Sequence, residues 1–586
     1  MDNTQALLLK FGFKNFKPLQ KEAIDFILAD KDVLLISPTG GGKSLVYQMS
    51  ALLKNGVGIV VSPLLALMNQ QVEYLKSIGV KAEFLNSSLN PGEQDDLIWA
   101  LRNNQVDLLY LSPEKLIQPS VIGFLSYLEV SVCAIDEAHC ITQWGDGFRP
   151  EYSQLNIIKE HFPNVPVIAM TGTADIETQT EIIKSLSLHS PEVLAESFNR
   201  KNIEMMISQK KQSFKQLLYF LVHEVAGESG IIYCRSRKNV EVLSRNLKDL
   251  GLTSYFYHSA LSAREKENSA NSFFADQSAI MVATTAFGMG IDKTNIRFVV
   301  HMDLPTSIES YYQEIGRAGR DGLPAKAVLF YGLQDFIKLA QFEKDAAFQR
   351  NPVDNVKSTQ LFNFLESRGC RRKALLLKFN ESIENCGNCD RCKHVSSEQN
   401  ATVAAQKILS LIYHTKGRVA VSTLIHILHG KITRKVKDIQ GMELSLFGKG
   451  KELSDIGWKS LIRKLFAEDC LKVSGEFGTE FVLTQKAKPV LRGEIQIIIS
   501  KDFHLPSMKD ATIEPEAAYW IEIMKWYYAN SHTSIFSLKQ LRTISEDAPK
   551  TLASMSRLTG IPISHLNEND AQGLFDILNG KTVSIS

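Results

Sequence analysis

Short runs of β-branched and aliphatic residues alternate with longer segments of mixed polarity from the start of the chain to about residue 340. One series comprises "DVLLIS" (32–37), "GIVVSP" (58–63), "DLLYLSP" (107–113), "VCAIDEA" (132–138) and "VPVIAMT" (165–171). A second comprises "GIIYC" (230–234), "AIMVAT" (279–284) and "RFVVHMD" (297–303). Uninterrupted apolar strands separated by helical segments predict parallel sheets buried on both faces, and so an α/β fold. Two series predict two tandem lobes, 1–198 and 199–340, joined near "ESFNRKNIE" (196–204). Past 341 the rhythm stops. A cysteine-bearing segment (341–400) ends in the polar "VSSEQNATV", which reads as a linker. Residues 401–500 read as helices closed by a strand pair in "CLKVSGEFGTEFVLT", and 510–586 as a last helical piece. No repeat shows beyond the two α/β halves.

A length of 586 residues exceeds one ordinary core and predicts several domains. With 44% hydrophobic and 22% charged residues, the composition is that of a globular protein. No run reads as a membrane span, and "MDNTQALLLK" lacks the cationic start and long apolar run of a signal peptide. The expectation is a cytoplasmic protein, associated with the nucleoid if bacterial. A net charge of +2 means that any nucleic-acid site is a local basic surface. Of eight cysteines, Cys370, Cys386, Cys389 and Cys392 fall together, which in a reducing compartment points to metal. Scattered Cys133, Cys140, Cys234 and Cys470 carry no assigned chemistry.

The chemistry begins at "SPTGGGKS" (37–44), between an apolar strand and the helix-like "LVYQMSALL". Thr39, Gly40, Gly41 and Gly42 would let backbone N–H groups curl around phosphate oxygens. Lys43 would reach the outer phosphates, and Ser44 would ligate Mg²⁺. The strict phosphate-loop pattern has Gly where Ser37 stands. Asp136 and Glu137 close the strand "VCAI". Asp136 would hold Mg²⁺ directly or through water, and Glu137 would orient and deprotonate the attacking water. In "QEIGRAGRDG" (313–322), Arg317 and Arg320 are spaced to share one helical face. Arg320 is the first candidate for an arginine finger and Arg317 the second. A merely basic surface helix would leave Gln313, Gly316 and Gly319 unexplained.

These motifs, in this order, resemble those of a RecQ-type DNA helicase of superfamily 2, over about residues 10–495. "FGFKNFKPLQ" (11–20) resembles the family's adenine-reading motif: Gln20 would pair with the adenine edge while Phe13 and Lys17 contact the base. Family members often have Tyr and Arg at those last two positions. "VSPLLALMNQQV" (61–72), "IDEAH" (135–139), "MTGTA" (170–174), "IIYCRSRKNVE" (231–241), "YHSALS" (257–262) and "VATTAFGMGID" (282–292) complete the set, with Gly172 where the family usually has alanine. The resemblance implies two RecA-like lobes, a zinc-binding subdomain, a winged helix and a small helical end that is weakly like the helicase-and-RNase-D C-terminal domain. It implies ATP and Mg²⁺ as cofactors and 3′→5′ movement on DNA, with single-stranded and forked duplex DNA as partners, in recombination, repair or fork processing. The alternative is a DNA-stimulated translocase that remodels protein–DNA complexes without unwinding.

The resemblance also gives the remaining sites. It places Zn²⁺ on Cys370, Cys386, Cys389 and Cys392, although C-x2-C-x2-C also occurs in iron–sulfur sites. Nearby Arg368, Arg371, Arg372 and Lys373 read either as phosphate contacts or as a solvated basic face. The loop "CITQWGDGFRPEY" resembles the family's aromatic-rich coupling loop. Trp144 and Phe148 would stack on bases and Arg149 would meet a phosphate; the other reading makes Trp144 a core anchor. Asp146 and Gly147 stand where the family has His-Asp. In the wing hairpin, Phe477 would stack on the exposed base pair or pack on its own hairpin. Lys431, Arg434, Lys435 and Lys437 would meet the duplex backbone. The last helical segment is not notably basic, so it reads as a partner-binding or structural piece.

Overall fold

Strands that are buried along their whole length set the architecture. The computed structural model describes residues 3–579 except Thr39, Leu64, 86–90, 144–149, 289–292, 348–353, 395–396, 475–479, 567 and most of 508–537. The chain divides into two units, the first built mainly on Met1–Arg200 and the second on most of the remainder.

In the first unit, β1 (Val33–Ile36), β2 (Val57–Val61), β3 (Ala82–Leu85), β4 (Leu108–Leu111), β5 (Val130–Ile135), β6 (Val167–Thr171) and β7 (Glu192–Ala195) form one parallel sheet. Its order is β3-β4-β2-β5-β6-β1-β7. The central strands are apolar because helices cover both faces. Helices Gln20–Leu28 and Lys43–Leu53 bury Ala23, Ile24, Val46 and Met49 against it. Edge strands β3 and β7 are only partly buried and do not read as apolar runs. Segment Leu376–Ile383 returns to this unit. Phe379 stacks on Phe198 with ring centroids 4.6 Å apart, and Glu381 accepts from Ser197 Oγ (2.6 Å) and the Phe198 N–H (2.8 Å).

The second unit carries β8 (Ile203–Gln209), β9 (Gly230–Tyr233), β10 (Ser254–Tyr257), β11 (Ile280–Ala283), β12 (Phe298–His301) and β13 (Ala325–Tyr331), again all parallel, in the order β10-β11-β9-β12-β13-β8. A Cβ on Gly230 would meet the Phe298 ring at 2.2 Å, so β9 and β12 pack this closely only with glycine there. Helices Leu333–Ala347 and Asp354–Leu365 lead to the cysteine segment. Next, "VSSEQNATV" is not simply a linker: Glu398–Asn400 forms β14, antiparallel to β17 (Ile498–Ser500). A strand of three exposed residues has no local signature, and its partner lies about a hundred residues away. Between them stand helices Thr402–His414, Val421–His429, Arg434–Asp438 and Asp455–Ala467, and a hairpin of β15 (Leu471–Ser474) and β16 (Glu480–Leu483). This is the winged helix, and Trp458 is its buried anchor, donating from Nε1 to the Gly450 carbonyl (3.0 Å). Last, helices Leu538–Asp547, Leu552–Thr559 and Glu568–Leu578 close over Leu541, Ile544, Met555 and Leu574. Among the described residues no helix is long and apolar enough to cross a membrane.

One buried ion pair ties the first sheet together. The Asp32 carboxylate accepts from the Val167 N–H (2.8 Å), the His189 N–H (2.7 Å) and Lys159 Nζ (2.7 Å). It thereby joins the start of β1 to β6 and to the turn before β7. Asp32→Ala would strand Lys159 as an unpaired buried cation, and is expected to cost about 3–5 kcal/mol. Denaturant unfolding should show that loss, with a smaller one for Asp32→Asn, which keeps an acceptor oxygen.

Candidate nucleotide site and metal centre

The phosphate loop leaves β1 and enters helix Lys43–Leu53 through Gly42, whose φ of 76° lies in the left-handed region. Lys43 Nζ donates to the Ser37 carbonyl (2.8 Å), folding its ammonium back over the loop. Ser37 fits because its neighbour is bare: a Cβ on Gly41 would sit 1.9 Å from Ser37 Oγ. That hydroxyl donates to Glu196 Oε2 (2.6 Å). Gln20 is buried beside the loop. Its Nε2 donates to the carbonyls of Gly42 (2.9 Å) and Gly41 (3.3 Å), and its Oε1 accepts from the Lys17 N–H (2.7 Å). Lys17 Nζ donates to the Gly40 carbonyl (2.6 Å). The residues assigned to adenine thus grip the phosphate loop itself, an arrangement that motif order alone does not show. Phe13 is 46% exposed, its ring open to a ligand. Thr39 lies outside the described residues.

The acids follow β5. Asp136 is bonded to the neighbouring Glu137 N–H (3.0 Å), and its own N–H donates to the Val61 carbonyl (2.9 Å). Burial, then the charge of Glu137, push the Asp136 carboxyl up to about 7, against the pull of Lys43. The pocket is therefore short of positive charge, which suits a divalent cation. Glu137 takes a positive φ of 50°, uncommon for a residue with a side chain, and this turns its carboxylate toward His139 (Oε2 to Nδ1, 3.3 Å). His139 Nδ1 also lies 3.0 Å from Thr171 Oγ1, which donates onward to the Thr173 carbonyl (3.0 Å). Burial lowers the His139 pKa, so its ring is neutral at pH 7. The structure thus brings Lys43, Asp136 and Glu137 to one sheet edge and sets His139 and Thr171 in a hydrogen-bonded row beside Glu137.

In the second unit, Gln313 lies on helix Ile308–Ile315, but Arg317 and Arg320 do not share a helical face. The helix ends at Gly316, and Gly319, with φ 59°, turns the chain so that its N–H meets the Ile296 carbonyl (2.8 Å). The left-handed turn at Gly319 is what keeps the two arginines off one helical face. Arg317 is buried against the Tyr233 phenol, while Arg320 is partly exposed. Trp144, Phe148 and Arg149 lie outside the described residues, as does Phe477.

The sulfurs of Cys370, Cys386, Cys389 and Cys392 lie within 4.8 Å of one another. Four thiolates about 2.3 Å from one ion demand such spacing, whereas an iron–sulfur cluster spreads its thiolates over separate iron atoms. Backbone N–H groups aim at the sulfurs: Cys386 N–H at Cys370 (3.3 Å), Asn388 N–H at Cys386 (3.3 Å) and Arg371 N–H at Cys389 (3.4 Å). Burial raises the Cys370 pKa, but the N–H groups of Lys373 and Cys386 outweigh it and bring the thiol to about 7. The donor set fits Zn²⁺. Two of the neighbouring arginines, Arg371 and Arg372, are neither phosphate contacts nor part of a solvated face. Arg371 is 1% and Arg372 3% exposed. Arg371 pairs with Asp390 (Nη2–Oδ2, 3.2 Å) and caps the Leu365 carbonyl (2.7 Å), and Arg372 donates to the Ile203 carbonyl. Of that basic run, Arg368 and Lys373 are exposed, Arg368 paired with Glu398 (3.0 Å).

Family profiles tile the chain: DEAD/DEAH box helicase over 17–182, helicase conserved C-terminal domain over 209–322, RecQ zinc-binding over 333–393 and RQC domain over 396–507. Among curated proteins it is 44% identical over 488 residues to the ATP-dependent DNA helicase RecQ of Pasteurella multocida, covering 83% of this chain and 77% of that one. The chain belongs to the RecQ helicase family. RecQ of Haemophilus influenzae is 42% identical (83% of this chain, 78% of that one), and RecQ of Bacillus subtilis 34% (85% of each). The cysteine cluster of this RecQ-family chain falls inside its zinc-binding match and the hairpin inside its RQC match.

Metal and fold should fail together. Purified protein is expected to carry about one Zn²⁺ per chain, and Cys389→Ser to lower both metal content and thermal stability, because binding and folding are linked. Elemental analysis beside calorimetry checks this; stoichiometric iron would contradict it.

Proposed function

We propose that this ATP-dependent DNA helicase moves 3′→5′ along single-stranded DNA and opens forked duplexes, with the residues of the first sheet edge turning over ATP. The observation that carries this reading is the convergence of Lys43, Asp136 and Glu137 at one end of β1 and β5. Bound Mg²⁺ would supply charge neutralisation at the phosphates, with Ser44 and Asp136 as its protein ligands. Lys43 exchanges the Ser37 carbonyl for a phosphate oxygen. Gln20 and Lys17 likewise exchange loop carbonyls for the base, so that ATP entry and loop release are one event. Glu137 orients the attacking water and takes its proton, with neutral His139 and Thr171 fixing the carboxylate. Arg320 acts as the arginine finger, and Gln313 and Arg317 position it. At the DNA, Trp144 and Phe148 stack on bases, Arg149 meets phosphate, and Phe477 stacks on the pair being opened. The C-terminal helices serve protein partners.

Two variants test these roles. Lys43→Ala should lower ATP turnover by about 10²–10³ or more while single-stranded DNA binding persists, since the transition-state charge loses its cation; wild-type turnover in a folded variant would remove Lys43 from the site. Trp144→Ala should keep basal ATPase and lose most DNA stimulation and fork unwinding, with stacking worth about 1–3 kcal/mol per base. A fork-unwinding assay beside a coupled ATPase assay reads both, and forks with a 3′ or a 5′ tail read direction. Hydrolysis with DNA-stimulated movement but no strand separation would favour a remodelling translocase.

A further inference from the structure

Arg463 lies on helix Asp455–Ala467 and is fully buried, although an arginine normally keeps its guanidinium in water. Its Nε donates to Glu366 Oε1 (2.8 Å), just past helix Asp354–Leu365 of the zinc-binding region. Its Nη2 donates to both oxygens of Asp502 (2.8 and 2.9 Å), two residues beyond β17, and to Ser460 Oγ (3.2 Å) on its own helix. The guanidinium sits 5.0 Å from the ring centroid of Tyr331, the last residue of β13. One planar group therefore holds four segments: the second sheet, the zinc-binding region, the long winged-helix helix and the strand leaving that domain. Its Nη1 has no hydrogen-bond partner among the described residues, so the burial is costly and only partly compensated.

The same helix carries the wing. β15 begins at Leu471, four residues after Ala467, and Phe466 packs edge-on against Phe481 of β16 with centroids 5.8 Å apart. Helix Leu333–Ala347, which follows β13 directly, also lies against β15 and against the Arg463 helix. We propose that Arg463 is a positioning residue for strand separation: by holding Glu366, Asp502 and the Tyr331 face together it makes the hairpin and the second sheet one rigid body. Displacement of that sheet then reaches the duplex junction undiminished. This rests on the helicase reading above. Stability alone does not call for the cluster, since buried ion groups can often be replaced by uncharged residues of similar volume at no net cost. What one planar guanidinium clasped by two acids adds is one allowed geometry.

The test uses the full chain. Arg463→Met alone leaves two buried carboxylates unpaired and risks misfolding, so the main variant is Arg463→Met with Glu366→Gln and Asp502→Asn. It is expected to keep its zinc and its single-stranded-DNA-stimulated ATPase within about twofold, yet to open at least about tenfold fewer base pairs per ATP on a fork. Spin labels on unnatural residues at Lys248 and Glu443 should report a broader distance distribution than in the parent. Arg463→Lys keeps the charge but not the fork geometry, and should fall between the two. If the parent separates forks and the folded triple variant matches its base pairs per ATP, the clasp is not the coupler. A parent that separates no fork overturns the helicase reading, and this inference with it.

Discussion

Parallel pairing of β5, β6 and β1 is the constraint on which the nucleotide site depends. Their registers run Ile135↔Ala169 and Ile36↔Thr171, so all three strands finish at one sheet edge. The phosphate loop leaves β1, the acids leave β5, and Thr171 closes β6. Were one strand reversed, its loop would emerge at the far end, some 15–20 Å away for strands of this length. Parallel order needs crossover helices, and those helices bury both faces. The apolar continuity of the strands and the assembly of the chemistry are one fact seen twice.

Glycine enters where this edge is most crowded. Gly41 leaves room for Ser37, and Gly42 leaves room for the Gln20 amide, which a Cβ would meet at 2.6 Å. Three side chains, Lys17, Gln20 and Lys43, donate to carbonyls of the loop or its base. A loop held by the groups that would otherwise bind ligand is set for exchange: each bond given up is replaced by one to base or phosphate. The net cost is small because bonds are traded and not lost.

What was legible in the sequence follows burial. β1, β2, β4, β5, β6, β9, β11 and β12 are apolar almost throughout and stood out. β3, β7 and β10 are partly exposed, and Glu204 and Lys326 interrupt β8 and β13, so these carried no clear run. Motif order located Lys43, Asp136, Glu137 and the four cysteines, because that chemistry fixes residue types at short spacing. It did not locate His139 with Thr171, or Ser37 with Glu196, whose partners meet only through the sheet. Charge is where sequence and fold differ most. Arg371 and Arg372 look like a basic surface in one dimension, and only the fold shows carbonyls and Asp390 around them.

Those buried arginines belong to the way the second sheet is finished. β8 is an edge, and an open edge is a template for unwanted pairing. Along its length the Met205 N–H donates to the Asn388 carbonyl (3.3 Å), and Met205 bridges Cys389. Lys393 pairs with Glu204 (2.6 Å), and Arg372 takes the Ile203 carbonyl. Toward the other end, the Gln209 N–H donates to the Phe503 carbonyl (3.0 Å) and Ser208 Oγ accepts from the Leu505 N–H (2.9 Å). The cysteine knuckle covers the start of the strand and the segment leaving the winged helix covers its end. A metal held by the four cysteines would thus also fasten a sheet edge. The zinc region is in this sense part of the second lobe's wall, and the arginines beside it are buried because they fasten that wall in place.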